Sequence, residues 1–150
     1  MEKFIGTKII EAEPAYRVDG KTVQPTTWPV PEGAKAEGGY AVRYPDGYMS
    51  WSPKDVFEEA YRRTDNLTFG LAIEAAKKGK RIARKGWNGK GQYVELAKAI
   101  SYKSPTGAVV NAEHDAIGNQ ALAFVGTSGV QMGWLASQAD MLADDWVIVE

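Results

Sequence analysis

A chain of 150 residues, 44% hydrophobic and 25% charged, has the make-up of an ordinary globular protein, either one domain or two small units sharing a core. Its 18 basic and 19 acidic residues leave a formal net charge of -1, so no overall field draws it to a polynucleotide. Cysteine is absent, which excludes disulfides, thiolate nucleophiles and thiolate zinc sites, and no run approaches the roughly 18 apolar residues of a membrane-spanning helix.

The opening MEKFIGTKII has neither the apolar core nor the small-residue cleavage site of an export signal, so a soluble cytosolic protein is expected. Phe4 to Ala12 mixes β-branched and polar side chains and reads as β-rich, and Tyr16 to Val23 reads as two short extended pieces around the turn Asp19-Gly20. Between Gln24 and Gly38 prolines and glycines are dense enough to break both helix and ladder, which predicts an ordered connector. GYAVRYPDGYMSW then predicts a hairpin turning at Pro45-Asp46-Gly47, with aromatic cross-strand neighbours. Ser52, Pro53 and Asp55 suit an N-cap, first turn and dipole partner, so a helix is expected from there to about Arg63.

The polar pair Asp65-Asn66 separates two independently capped helices, which sets a boundary between units 1–65 and 66–150. Phe69, Ala72, Ile73 and Ala76 recur at helical spacing between Thr68 and Gly79, the clearest helix in the chain. Arg81 to Lys85 and Gln92 to Ala97 read as strands around the loop Gly86 to Gly91, and Trp146 to Glu150 as a closing strand. Tyr102 to Gly129 carries no sharp motif and is a candidate lid. The expected class is α+β, antiparallel sheets with one or two short helices in two small units.

Conventional catalytic sets are missing. His114 is the single histidine, with no second imidazole or thiol to complete a dyad or a metal cluster. The carboxylate pairs Glu58-Glu59 and Asp144-Asp145 read as solvated surface, because adjacent side chains do not face one substrate. No GxGxxG or GxxxxGK[ST] pattern appears. The loop Gly86-Trp87-Asn88-Gly89-Lys90-Gly91 sits in a basic run of Lys77, Lys78, Lys80, Arg81, Arg84, Lys85 and Lys90 with no acid between Glu74 and Glu95. Cations at a helix end complement its dipole, which accounts for Lys77, Lys78 and Lys80. The rest, beside an indole, suit a phosphate-bearing ring system, since base stacking on an aromatic is worth ~1–3 kcal/mol. Residue chemistry alone leaves open whether Trp87 packs in the core or meets a ligand.

The blocks FGLAIEAAKKGKRIARKGWNGKG and GWLASQADMLADDWVIVE together resemble the bacteriophage Thoeris anti-defence proteins of the second type, over roughly Leu67 to Glu150. The stretch GYAVRYPDGYMSWSPKDVFEEAYR is similar to a small domain of many uncharacterised phage proteins, an accessory unit absent from the shorter members of the first family.

The resemblance implies a homo-oligomer, commonly a tetramer, in the host bacterial cytoplasm. It would sequester a cyclic ADP-ribose isomer made by TIR-domain defence enzymes, without turning it over and without cofactor or metal. Some relatives also take cyclic dinucleotides at a separate site. Carried onto this chain, the ligand-binding residues are Phe69, Arg84, Trp87, Asn88, Lys90, Trp134, Ser137, Gln138, Asp140 and Met141. Trp87 and Trp134 would stack on adenine, Asn88 and Asp140 would read ribose or base edges, and Arg84 or Lys90 would meet the pyrophosphate. A structural role in the core is the competing assignment for Trp134 and Met141. The rival functions are an enzyme that cleaves the signal and an inhibitor that contacts a host protein through the hairpin Gly39 to Trp51.

Overall fold

The structure, a computed structural model, describes residues 1–87, 91–111 and 120–150, with Asn111 by its backbone only. Asn88, Lys90 and His114 lie outside the described residues. The chain divides into two compact units, Met1–Arg62 and Arg63–Glu150. Both are built on antiparallel sheets with short helices, the α+β class expected.

The first unit is a sheet of order β2-β1-β3-β4, with β1 at Glu11–Val18, β2 at Thr22–Pro25, β3 at Ala36–Arg43 and β4 at Met49–Pro53, followed by α1 at Lys54–Ala60. Consecutive positive φ angles at Asp19 (51°) and Gly20 (69°) turn β1 into β2, a backbone twist that suits paired strands. At the β3–β4 turn Gly47 takes φ 89°, the Tyr48 N–H donates to Asp46 Oδ1 at 3.0 Å, and the Tyr44 and Tyr48 rings stack at 5.9 Å. Ala15, Val18 and Val42 are buried, and Phe57 of α1 stacks on Tyr40 at 4.1 Å.

Three sequence expectations shift here. Strand structure starts at Glu11 and not at Phe4, because pairing begins with Glu11 opposite Arg43. The irregular connector shrinks to residues 26–35: Pro25 ends the edge strand β2, where its missing N–H costs no ladder bond, and Gly38 lies inside β3. Ser52 does not cap α1; it is still in β4, Pro53 occupies the cap position without a side-chain bond, and the helix ends at Ala60 because Tyr61 is already extended.

The second unit packs α2 (Phe69–Lys77) on a five-stranded sheet of order β10-β9-β6-β5-β11. Its strands are β5 (Arg81–Arg84), β6 (Tyr93–Ala97), β9 (Ala121–Gly126), β10 (Gly129–Met132) and β11 (Trp146–Val149). A separate hairpin pairs β7 (Ser101–Lys103) with β8 (Val109–Asn111), and α3 spans Gln138–Leu142. Thr68 Oγ1 accepts the Leu71 N–H at 3.3 Å, satisfying one of the unpaired donors of the first helical turn. Gly79 follows the helix with φ 87°.

Ala72, Ala75 and Ala76 let α2 approach Ile82, Val94, Leu67 and Trp146, which form the core. Each large side chain buried there contributes about 1.5–3 kcal/mol. No helix among the described residues is long and apolar enough to cross a membrane.

Candidate functional site

Trp146 anchors the site. It is fully buried on β11, and its indole Nε1–H donates to the Asp140 carbonyl at 2.8 Å, so the last strand is tied to α3. Around it stand Phe69 from the start of α2 at 5.4 Å, Trp87 from the end of β5 at 5.3 Å and Trp134 from the exit of β10 at 6.2 Å. Trp87 and Trp134 meet edge to face at 5.9 Å, and Phe124 of β9 contacts both, at 5.4 Å and 6.4 Å. Such pairs are worth ~0.5–1.5 kcal/mol beyond their area.

Two backbone bonds fix the half-buried indoles. The Trp134 N–H donates to the Leu122 carbonyl at 2.9 Å, and the Trp87 N–H to the Arg84 carbonyl at 3.1 Å.

Beside the rings runs one polar network. Arg84 Nε donates to Asp145 Oδ1 at 2.9 Å and Arg84 Nη1 to Asp140 Oδ1 at 3.0 Å. Asp145 Oδ2 also accepts the Gly86 N–H at 3.3 Å. Asp140 closes a capping box on α3: its Oδ2 accepts the Ser137 N–H at 3.0 Å while Ser137 Oγ accepts the Asp140 N–H at 3.1 Å.

The electrostatics follow from these partners. Burial alone would raise the Asp140 carboxyl, but bonds from the Ser137 backbone and the Arg84 guanidinium outweigh it and hold it below its ordinary value. Asp145 is lowered chiefly by Arg84, against burial. Arg84 is raised in turn by Asp145 and then Asp140.

The basic run is therefore less free than its sequence implies. Two of its cations besides Arg84 pair with acids on either side of the run: Lys77 with Glu74 at 3.4 Å, and Arg81 with Glu95 at 3.5 Å, its guanidinium over the Tyr93 ring. Lys78, Lys80 and Lys85 carry no ion pair among the described residues. Arg84 bonds through two of the five N–H donors that a guanidinium offers, and one cation between two carboxylates leaves that spot net negative.

Of the residues singled out by sequence, Phe69, Arg84, Trp87, Trp134, Ser137 and Asp140 converge around Trp146. Gln138 and Met141 are exposed on α3. Asn88 and Lys90 lie outside the described residues.

Sequence reasoning missed Trp146 and Phe124, and it placed Asp145 with Asp144 as solvated surface. Asp144 is exposed, whereas Asp145 takes Arg84. The signal was the DDW run into a strand, where neighbouring side chains point to opposite faces.

The segment holding these groups is the segment shared with known proteins. Residues 67–149 match the Tad2-like family, described as the Thoeris anti-defense 2-like domain. The chain is also 35% identical over 88 residues to Thoeris anti-defense 2 of Bacillus phage SP01, an alignment that takes in 55% of this chain and 94% of that protein. The matched span opens at Leu67, which exchanges backbone hydrogen bonds of 2.7 and 3.2 Å with Trp146, and it includes every element from α2 to β11. With more than half of its length inside that match, the protein belongs to the Thoeris anti-defense 2-like family of phage anti-defence proteins.

Proposed function

We propose that this protein protects an infecting phage by binding the cyclic ADP-ribose isomer released by TIR-domain defence enzymes and withholding it, unaltered, from its effector. The observation that carries the reading is the pair of half-buried indoles, Trp87 and Trp134, fixed 5.9 Å apart on a rigid aromatic base. Rings held this way are ordered before a ligand arrives, so an adenine that meets them costs them no conformational freedom. Phe69 and Met141 would complete the apolar wall, and Ser137, Gln138, Asp140 and Asn88 the polar edge.

The pyrophosphate needs cations that are not already neutralised. Lys85, without an ion pair among the described residues, fits that role better than Arg84, whose charge is matched by Asp140 and Asp145; Lys90 is the other candidate by its place in the sequence. Arg84 then acts as a positioning residue that ties β5 to α3. The exposed Leu135 (89%) just before α3 and Leu142 (78%) at its last position support a homo-oligomer, for which a tetramer is the proposed state, because exposed apolar side chains favour a protein contact.

The test mixes purified protein with the cyclic ADP-ribose isomer, denatures the protein by heat and identifies what is released. Sequestration predicts intact ligand in stoichiometric amount, and Trp87→Ala with Trp134→Ala abolishes uptake. A linear product establishes cleavage instead. Retained anti-defence activity in the double tryptophan variant favours direct contact with a host protein.

A further inference from the structure

The first unit lies outside the matched span and carries an interaction surface of its own. The face of its sheet that bears Tyr40 is covered by α1. The opposite face holds the cross-strand rows Glu11–Arg43–Met49, Glu13–Ala41–Trp51 and Ala15–Gly39–Pro53, with Val23 and Pro25 from β2, and no helix of the unit lies on it. A groove of about 490 Å³ runs there, floored by Ala15 and Ala41 and walled by Val23, Pro25, Met49 and Trp51, with Glu13 on its rim.

Trp51 is a rigid wall. Its Nε1–H donates to the Ala15 carbonyl at 3.2 Å, the Arg17 guanidinium lies 4.2 Å from its ring centre, and Gly39 sits beneath it, where a Cβ would fall 2.6 Å from the indole. With both ring faces occupied, the groove offers apolar volume and not a free stacking platform.

Two further observations say what fits. β2 pairs only with Ala15–Val18 of β1, so Glu11–Pro14 has one edge with no strand on it. The segment Met1–Thr7 contains Phe4 and Ile5 at 86% and 94% exposure, two large apolar side chains uncovered by their own chain.

Lys8 stands over the Tyr44 ring at 5.4 Å, beyond the Glu11–Arg43 pair that ends the ladder. The segment therefore leaves along the line of β1, away from the groove of its own sheet. Lys3 and Lys8 flank the apolar pair, and Glu13 faces no cation within ion-pair distance among the described residues.

We propose that Met1–Thr7 of one copy docks on the first unit of a second copy, as a strand added beside Glu11–Pro14. Ile5 enters the groove between Trp51, Met49 and Val23, and Lys3, on the same face of the added strand, lies against Glu13. Strand addition supplies the backbone bonds, and the groove takes the exposed Ile5 side chain out of water. Since the segment and the groove belong to the same chain, copies exchange them mutually.

The absence of cysteine allows a clean test in the full chain. Copies bearing Lys3→Cys are co-expressed with differently tagged copies bearing Glu13→Cys and oxidised. The proposal expects most of the protein to run as a mixed-tag dimer, little dimer when the second site is Glu59→Cys on α1, and loss of the dimer when Ile5→Ser is added to the Lys3→Cys copy. All these sites are exposed, so folding is not at stake. Mixed-tag dimer no more abundant than the Glu59 control, dimer that survives Ile5→Ser, or closure within single chains in the Lys3→Cys/Glu13→Cys double variant would each overturn it. None of these outcomes bears on ligand uptake by the second unit.

Discussion

Arg84, a ligand-binding cation by sequence, is ion-paired to two carboxylates in the structure. Held by Asp145 at 2.9 Å and Asp140 at 3.0 Å, it joins a strand to a helix 56 residues away. Arg84→Ala leaves two partly buried carboxylates without their counter-charge, an expected loss of about 2 kcal/mol near neutral pH. Both carboxyls are held below their ordinary values, so the network's contribution is complete above the usual carboxylate range, about 4, and fades as pH falls through the lowered values. Urea unfolding of the wild type and Arg84→Ala across that interval should show the stability gap closing in acid; a gap independent of pH contradicts the assignment. Sequence named Arg84 and Asp140 as separate ligand contacts; their mutual bond depends on strand register, which no local window of residues contains.

At the scale of elements, α3 is the small part on which the site's shape depends. Five residues are too few to sustain a helix by themselves, and its order comes from the Ser137–Asp140 capping box and the bond from Trp146. Ser137→Ala is expected to cost about 1 kcal/mol and to increase the solvent exposure of Trp134 and Trp146, read as a red shift in tryptophan emission. Unchanged stability and emission would show that the cap is dispensable.

The same shortness hid α3 from sequence reading, whereas α2 announced itself through Phe69, Ala72, Ile73 and Ala76. Strands β9 and β10 were equally hidden, since their apolar runs lie in a stretch without turn signals as sharp as Asp19-Gly20 or Asp46-Gly47. Phe4 to Ile10 erred the other way: its composition suits a strand, but strand structure needs a partner, and its own sheet supplies none.

For the whole molecule, the family was legible because its two blocks meet in one aromatic cluster, with Trp87 in the first and Trp134 and Trp146 in the second. The aromatic base between them was not, because Phe124 and Trp146 reach it only once β9 and β11 take their places in the sheet. These rings are proposed to grip one compact, doubly charged nucleotide. Isothermal titration of the full chain with the purified cyclic ADP-ribose isomer tests it most directly: saturable heat at micromolar ligand, lost in Trp87→Ala/Trp134→Ala, is the predicted result. No heat from the intact, folded protein, or undiminished heat in the double variant, would contradict it.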